Sequence, residues 1–364
     1  MNNYIGKTIF VGIDVHKKTY SVTAICDGII VKRDTLKADP STLIAYLKKR
    51  FGEGKIVSAY EAGFSGFYLH RQLIQAGVHN IVVHAADIEK SNDRVKTDKR
   101  DSLKLATHLS QKRLKCIYIP TEEREDLREI TRVRAAFMKE RTRLACQIKS
   151  LLHLHGLIPA HDDRRVSEKW IRDLVKLELK PGLKYSLEMY VNMWLQYNQK
   201  IKEINEEMKN QAIKDSAVDK VYQSAPGVGA TTARVLANEM DNLLQFTNNR
   251  QLSSYLGLTP CEYSSGEHIR QGHITKQGKP YLRKILVQAA WTAIRYDKEL
   301  ELIFDRISYK AGAKRAIVAI ARKLIGRIRA CFRTNTLYKM PTPPPRTTTV
   351  QAKNKKAPDL IKAA

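Results

Sequence analysis

Hydrophobic residues in the first third of the chain fall in short runs broken by turn formers, and in the remainder they recur at helical spacing. The run Thr8-Ile9-Phe10-Val11-Gly12-Ile13 reads as a buried strand ending on Asp14, and Ile56-Val57-Ser58-Ala59-Tyr60 as a second ending on Glu61. Between them, residues 20–26 and 29–36 flank Asp27-Gly28, a dipeptide suited to the positive φ of a tight hairpin, so the first three strands form an antiparallel meander. Asp39-Pro40-Ser41 supplies a cap and a first-turn proline for a helix through Leu47 to Phe51. A helix over 68–76, a strand over 80–84, a helix over 102–111 and a short strand over 116–119 complete the order β-β-β-α-β-α-β-α.

Pro120-Thr121-Glu122-Glu123 opens a long helix, with Thr121 as cap and acids complementing the dipole. Leu127, Ile130, Phe137, Leu144, Ile148 and Leu151 mark its apolar stripe, and Leu187, Val191, Trp194, Ile201, Ile204 and Met208 mark that of a second long helix. Joined by a loop around Pro159 to Asp163, the two form an antiparallel hairpin, used either as an internal spacer or as a dimer seam. A mostly helical unit follows. The expected division is a mixed-sheet domain at 1–120, a helical connector at 121–215, a helical domain at 216–340 and a disordered basic tail at 341–364.

Charge adds a partner to this outline. Sixty-four Lys and Arg against thirty-seven Asp and Glu leave a formal charge of +27 over 364 residues, the footprint of a protein that holds polyphosphate. The five cysteines are scattered without a CxxC pair, which argues against a disulfide framework or a zinc site. No run approaches the ~20 apolar residues of a membrane span, so a reducing, cytoplasmic setting beside nucleic acid is expected.

Against that basic background four acids stand out. Asp14 and Glu61 end strands, and Asp98 and Asp101 lie three apart at the start of a helix, where both can project from one face. A pair of Mg²⁺ ions roughly 3.5–4 Å apart needs hard carboxylates gathered from separate elements, and the chemistry such a site performs is phosphodiester cleavage or transfer. Each acid alone reads equally as a turn former or a surface ion-pair member. The strand and helix order matches a ribonuclease-H-like fold, whose metal site falls where these acids fall. His16, two residues after Asp14, reads as incidental, and the ten histidines form no ligand cluster.

Three basic or glycine-rich segments follow. Ser224-Ala225-Pro226-Gly227-Val228-Gly229-Ala230 resembles the hairpin of a helix-hairpin-helix motif, in which Gly227 and Gly229 bring backbone N–H groups to a phosphate; a plain interhelical turn is the alternative. It lacks the GK[ST] ending of a nucleotide loop. The polar segment through Ser264, Ser265 and Gly266 precedes Arg270, His273, Lys276, Lys279 and Arg283, company in which a serine hydroxyl could attack a phosphodiester. Lys314, Arg315, Arg322, Lys323, Arg327, Arg329 and Arg333 decorate one helix with no acid among them, a phosphate track or a solvated face.

The motifs GIDVHKK, YEAG, KTDKRDS, SAPGVG and GLTPCEYSSGEHIRQGHITKQGKPYLRKIL, in that order over residues 8 to 337, resemble the DEDD-type transposases of the insertion-sequence one-ten family. The resemblance implies a RuvC-like domain, a coiled-coil connector and a transposase domain whose serine joins covalently to DNA. By motif, the family acids fall on Asp14, Glu61, Asp98 and Asp101 and the serine on Ser265, with Ser264 as its neighbour. It further implies Mg²⁺ dependence, with Mn²⁺ able to substitute, a homo-oligomer (dimer or tetramer) whose acids meet the serine of another protomer, donor and target DNA, and guidance by a bridge RNA. A RuvC-like junction endonuclease using metal-activated water is the rival reading.

Overall fold

The computed structural model describes residues 4–84, 98–159, 161, 164–214, 216–263 and 271–340. The chain divides into two compact units, Met1–Thr121 and Glu122–Ala364.

The first unit is a five-stranded mixed sheet. Its strands are β1 (Thr8–Val15), β2 (Thr19–Cys26), β3 (Ile29–Lys37), β4 (Lys55–Glu61) and β5 (His79–Val83), in spatial order β3-β2-β1-β4-β5. β1 pairs antiparallel with β2 and parallel with β4. The β2–β3 turn works as its residues require: Asp27 and Gly28 have φ of 51° and 78°. One sheet face carries Ile9, Val11, Ile13, Val22 and Tyr60, packed with Leu43, Leu47 and Phe51 of α1 (Pro40–Phe51) and Leu69 and Leu73 of α2 (Tyr68–Gln75). Asp39 caps α1 by accepting from the Thr42 amide, and the hydroxyls of Ser41 and Thr42 help hold its carboxyl at a pKa of about 2. The opposite face receives α3 (Asp98–Ser110) at Gly12, where an added Cβ would collide with the Ser102 carbonyl and the Ala106 amide.

One detail departs from what the sequence predicts. Residues 116–119 form no strand; a lone antiparallel bridge joins Val83 to Cys116, and the Ile117 amide donates to the Val82 carbonyl. Pro120, which has no amide to donate, ends the segment, its carbonyl taking Arg71 at 3.2 Å. α3 begins at Asp98, so Asp98 and Asp101 both lie in its first turn, as their spacing predicts.

The second unit is helical. α4 (Glu122–Leu154) and α6 (Pro181–Lys214) run antiparallel, as Arg134 reaches Asn205 at 2.6 Å and Arg141 reaches Asn198 at 2.5 Å. Their connection is more than the expected loop: it holds α5 (Glu168–Leu174), capped by Ser167, whose Ile171 and Leu174 pack with Leu144, Ile148, Leu187, Val191 and Trp194. A second apolar cluster unites Met208 of α6 with α7 (Ser216–Gln223), α8 (Ala230–Met240), α9 (Asn249–Tyr255), α10 (Pro280–Tyr296), α11 (Lys298–Ala311) and α12 (Ala313–Thr334). A two-stranded hairpin, β6 (Pro260–Glu262) with β7 (Gln271–Ile274), stands between α9 and α10.

Buried polar groups stitch α8 to α7 and to α4. Arg234 pairs with Asp219 at 2.8 Å, both almost fully buried, Asn238 donates to Thr131 and to the Leu127 carbonyl, and Arg128 donates to the Glu239 carbonyl. Buried polar groups are in the large majority hydrogen-bonded, and each of these side chains makes at least one such bond.

The cation track expected on α12 is corrected at two positions. Arg327 reaches Asp297 at 2.8 Å and Glu299 at 2.7 Å, and Arg329 is buried, donating to the carbonyls of Phe246 and Thr247. Their counter-groups lie on other elements, where the helix's own sequence cannot display them.

Candidate active site

Asp14 and Glu61 issue from adjacent strands. The parallel register pairs Gly12 with Ala59 and Ile13 with Tyr60, so the next residues on each strand are Asp14 and Glu61. Strand alternation puts both on the face opposite Ile13 and Tyr60, the face that α3 covers. Asp14 is 19% exposed at its side chain and Glu61 is exposed.

α3 delivers the other acids to the same region. Ser102, Leu105, Ala106 and Leu109 form its buried stripe, and the Ser102 hydroxyl lies 2.8 Å from that of Thr23, the β2 residue paired with Gly12. Gly12 is two residues before Asp14, and Ser102 is the residue after Asp101, so the first turn of α3 is pinned close to β1. The Asp101 carboxylate lies 3.9 Å from Lys104. Asp98 belongs to that first turn; its side chain is outside the description.

His16, which reads as incidental in the sequence, lies against one of these acids. Its Nε2 lies 3.2 Å from Asp14 Oδ2. The signal was available, since residues two apart on a strand share a face. Among the described residues no three His, Cys, Asp or Glu side chains come close enough to hold a metal ion. In kind, the donors fit a hard divalent cation, being carboxylates on the ends of adjoining elements.

The basic and glycine positions have definite surroundings. Gly227, at φ 82°, abuts the Ala289 carbonyl, so its lack of a side chain serves packing of the turn on α10. Gly229 caps α8 with open space beside it. Lys279 forms an ion pair with Glu239, a buried partner absent from the sequence reading, and Arg283 donates to the Leu256 carbonyl at 3.0 Å. Lys276 is exposed, with φ 54°. Ser264, Ser265 and Arg270 lie outside the described residues, between β6 and β7.

A five-stranded mixed sheet with acids at the ends of adjacent strands is consistent with a ribonuclease-H-like domain of the DEDD class. The comparisons give the family. A transposase family model of DEDD proteins of IS110 elements matches residues 11–156, and one described as transposase of the IS116/IS110/IS902 family matches residues 219–304. Among relatives, a putative transposase of Sinorhizobium fredii, y4rJ, is 30% identical over 360 residues, covering 87% of this chain and 90% of that one. The transposase for insertion sequence element IS1111A of Coxiella burnetii is 28% identical, covering 86% of each chain. That for IS1533 of Leptospira borgpetersenii is 26% identical, covering 90% and 96%. The chain belongs to the IS110 family of DEDD transposases, enzymes that cleave and rejoin DNA. No helix among the described residues is long and apolar enough to cross a membrane.

Proposed function

We propose that this transposase is Mg²⁺-dependent, with Asp14, Glu61, Asp98 and Asp101 holding two ions and Mn²⁺ able to replace them, and with Ser265 as nucleophile. The observation carrying this is the shared face of Asp14 and Glu61 on adjacent parallel strands, against which α3 packs at Gly12. When bound, the metal supplies Lewis-acid polarisation of the scissile phosphate. Ser265 Oγ attacks phosphorus; its proton passes to a base, the Oγ–P bond forms, and the bond to one deoxyribose oxygen breaks as that oxygen takes up a proton. The phosphoserine link conserves the diester, so a DNA hydroxyl reverses the step and rejoins strands.

Arg270 and Lys276 steady developing charge, and Lys279 does so from its ion pair with Glu239. Gly227 and Gly229 present the turn to the DNA backbone, and Arg283 fixes the base of the serine segment. The enzyme works in the cytoplasm as a homo-oligomer, dimer or tetramer, on donor and target DNA paired with a bridge RNA. Its domains would be the sheet domain at 1–120, the connector at 121–215 and the transposase domain at 216–340, with a basic tail at 341–364.

A Ser265→Ala protein is expected to bind DNA yet form no covalent adduct with a nicked substrate, whereas Ser264→Ala retains the adduct. Adduct formation by Ser265→Ala at the wild-type level would falsify the assignment. The placement of Asp14 and Glu61 within the first unit favours one rival, a junction endonuclease with metal-activated water, because that chemistry needs no serine. It predicts free 5′-phosphate ends and no protein on the DNA.

A further inference from the structure

We infer that His16 is a metal ligand beside Asp14, a nitrogen donor in a site whose other donors are oxygen. The inference rests on the reading of Asp14 as a metal-holding acid, and it adds a residue that the four-acid pattern does not contain.

Three observations carry it. Asp14 and His16 are two apart where β1 ends, so the strand's alternation sends both side chains to the face that α3 covers. The His16 amide donates to the Thr19 carbonyl at 3.0 Å, closing the turn into β2 and fixing where the ring starts from. His16 Nε2 then lies 3.2 Å from Asp14 Oδ2, with both atoms screened from solvent although the His16 side chain as a whole is 45% exposed. Two donors in adjacent positions on an octahedral ion, each about 2.1 Å from it, are about 3 Å apart, so the observed spacing is that of ligands sharing one ion.

A nitrogen donor has a chemical consequence. Imidazole contributes more to transition-metal ions than to Mg²⁺, which holds oxygen ligands and water. The site is therefore built to accept Mn²⁺ more tightly than a purely carboxylate site would.

The test uses the full-length protein, stripped of metal and loaded with Mn²⁺, and reads ¹⁴N hyperfine coupling by pulsed electron paramagnetic resonance. A histidine coupling is expected in the wild type and absent from His16→Gln and His16→Asn that still bind Mn²⁺. In titrations, His16→Gln should lose about tenfold in Mn²⁺ affinity and change little towards Mg²⁺. Bound Mn²⁺ without nitrogen coupling in the wild type, or a coupling that survives both substitutions, overturns the inference and leaves the acid site standing. Asp14→Asn separates the two readings: wild-type binding of both ions by that variant overturns the acid site and the histidine ligand together.

Discussion

The Ser102 carbonyl of α3 occupies the space that a side chain at Gly12 of β1 would fill. The contact is backbone to backbone, so it holds α3 against the sheet more closely than any larger residue at position 12 allows. It also fixes the reach of the first turn of α3 towards the strand that ends in Asp14.

Gly12→Ala should therefore separate two functions that share a fold. Overpacking of this kind costs about 1–3 kcal/mol, and α3 must move to relieve it. The expected result is a folded protein with lower thermal stability, weakened Mn²⁺ binding and loss of metal-dependent strand cleavage. Calorimetry and metal titration check it; unchanged metal affinity in the folded variant would show that the α3 position does not set the site.

The Arg234–Asp219 pair offers a stability test in the second unit. With both side chains almost fully buried, removing Arg234 strands a carboxylate, and Arg234→Met should destabilise by about 3–5 kcal/mol. Adding Asp219→Leu should recover much of that loss, because the buried charge disappears with its partner. Chemical denaturation of both single variants and the double variant measures the coupling.

Glu168 gives the hairpin an acid-sensitive clasp. Lys202 and then Arg172 bind its carboxylate and hold its pKa at about 2, below the usual value near 4.3. The folded-state pKa is the lower one, so its contribution to stability is present above pH ~4.3 and is lost as pH falls towards 2. The melting-temperature gap between wild type and Glu168→Gln should be open at pH 6 and closed near pH 2. A gap that widens on acidification contradicts the assigned direction.

Gly257 and Gly278 clamp the base of the β6–β7 segment. Both have positive φ, 64° and 119°, and an added Cβ would strike the Gln277 carbonyl in the first case and the Tyr255 carbonyl in the second. Gly278→Ala should cost about 1–3 kcal/mol and reduce adduct formation on nicked DNA, while Mn²⁺ binding through the acids of the first unit is kept. Equal loss of both activities would mean that the clamp serves general stability alone.

The sheet was legible because its signals are local. The Asp27-Gly28 turn and the strand runs ending at Asp14 and Glu61 each declare themselves within a few residues, and the observed register aligns the two acids. The helical stripes of α4 and α6 were equally plain. What stayed hidden was decided by distant partners: Arg329 reads as a free cation until the Phe246 and Thr247 carbonyls are beside it, and Lys279 until Glu239 is. α5 escaped because a seven-residue helix gives too few periods to stand out. His16 gives no signal beside the other histidines of the sequence, because its neighbour in space is a carboxylate.

Tyr338 fastens the end of the described chain. Its amide donates to Ser224 Oγ at 2.9 Å and its hydroxyl to the fully buried Asp297 at 2.6 Å, while Arg327 donates to the same hydroxyl. The mooring point thus sits against the Ser224–Gly229 turn. Loss of the Tyr338 hydroxyl would therefore leave the fully buried Asp297 carboxylate with one donor fewer and slacken the chain where it lies beside that turn.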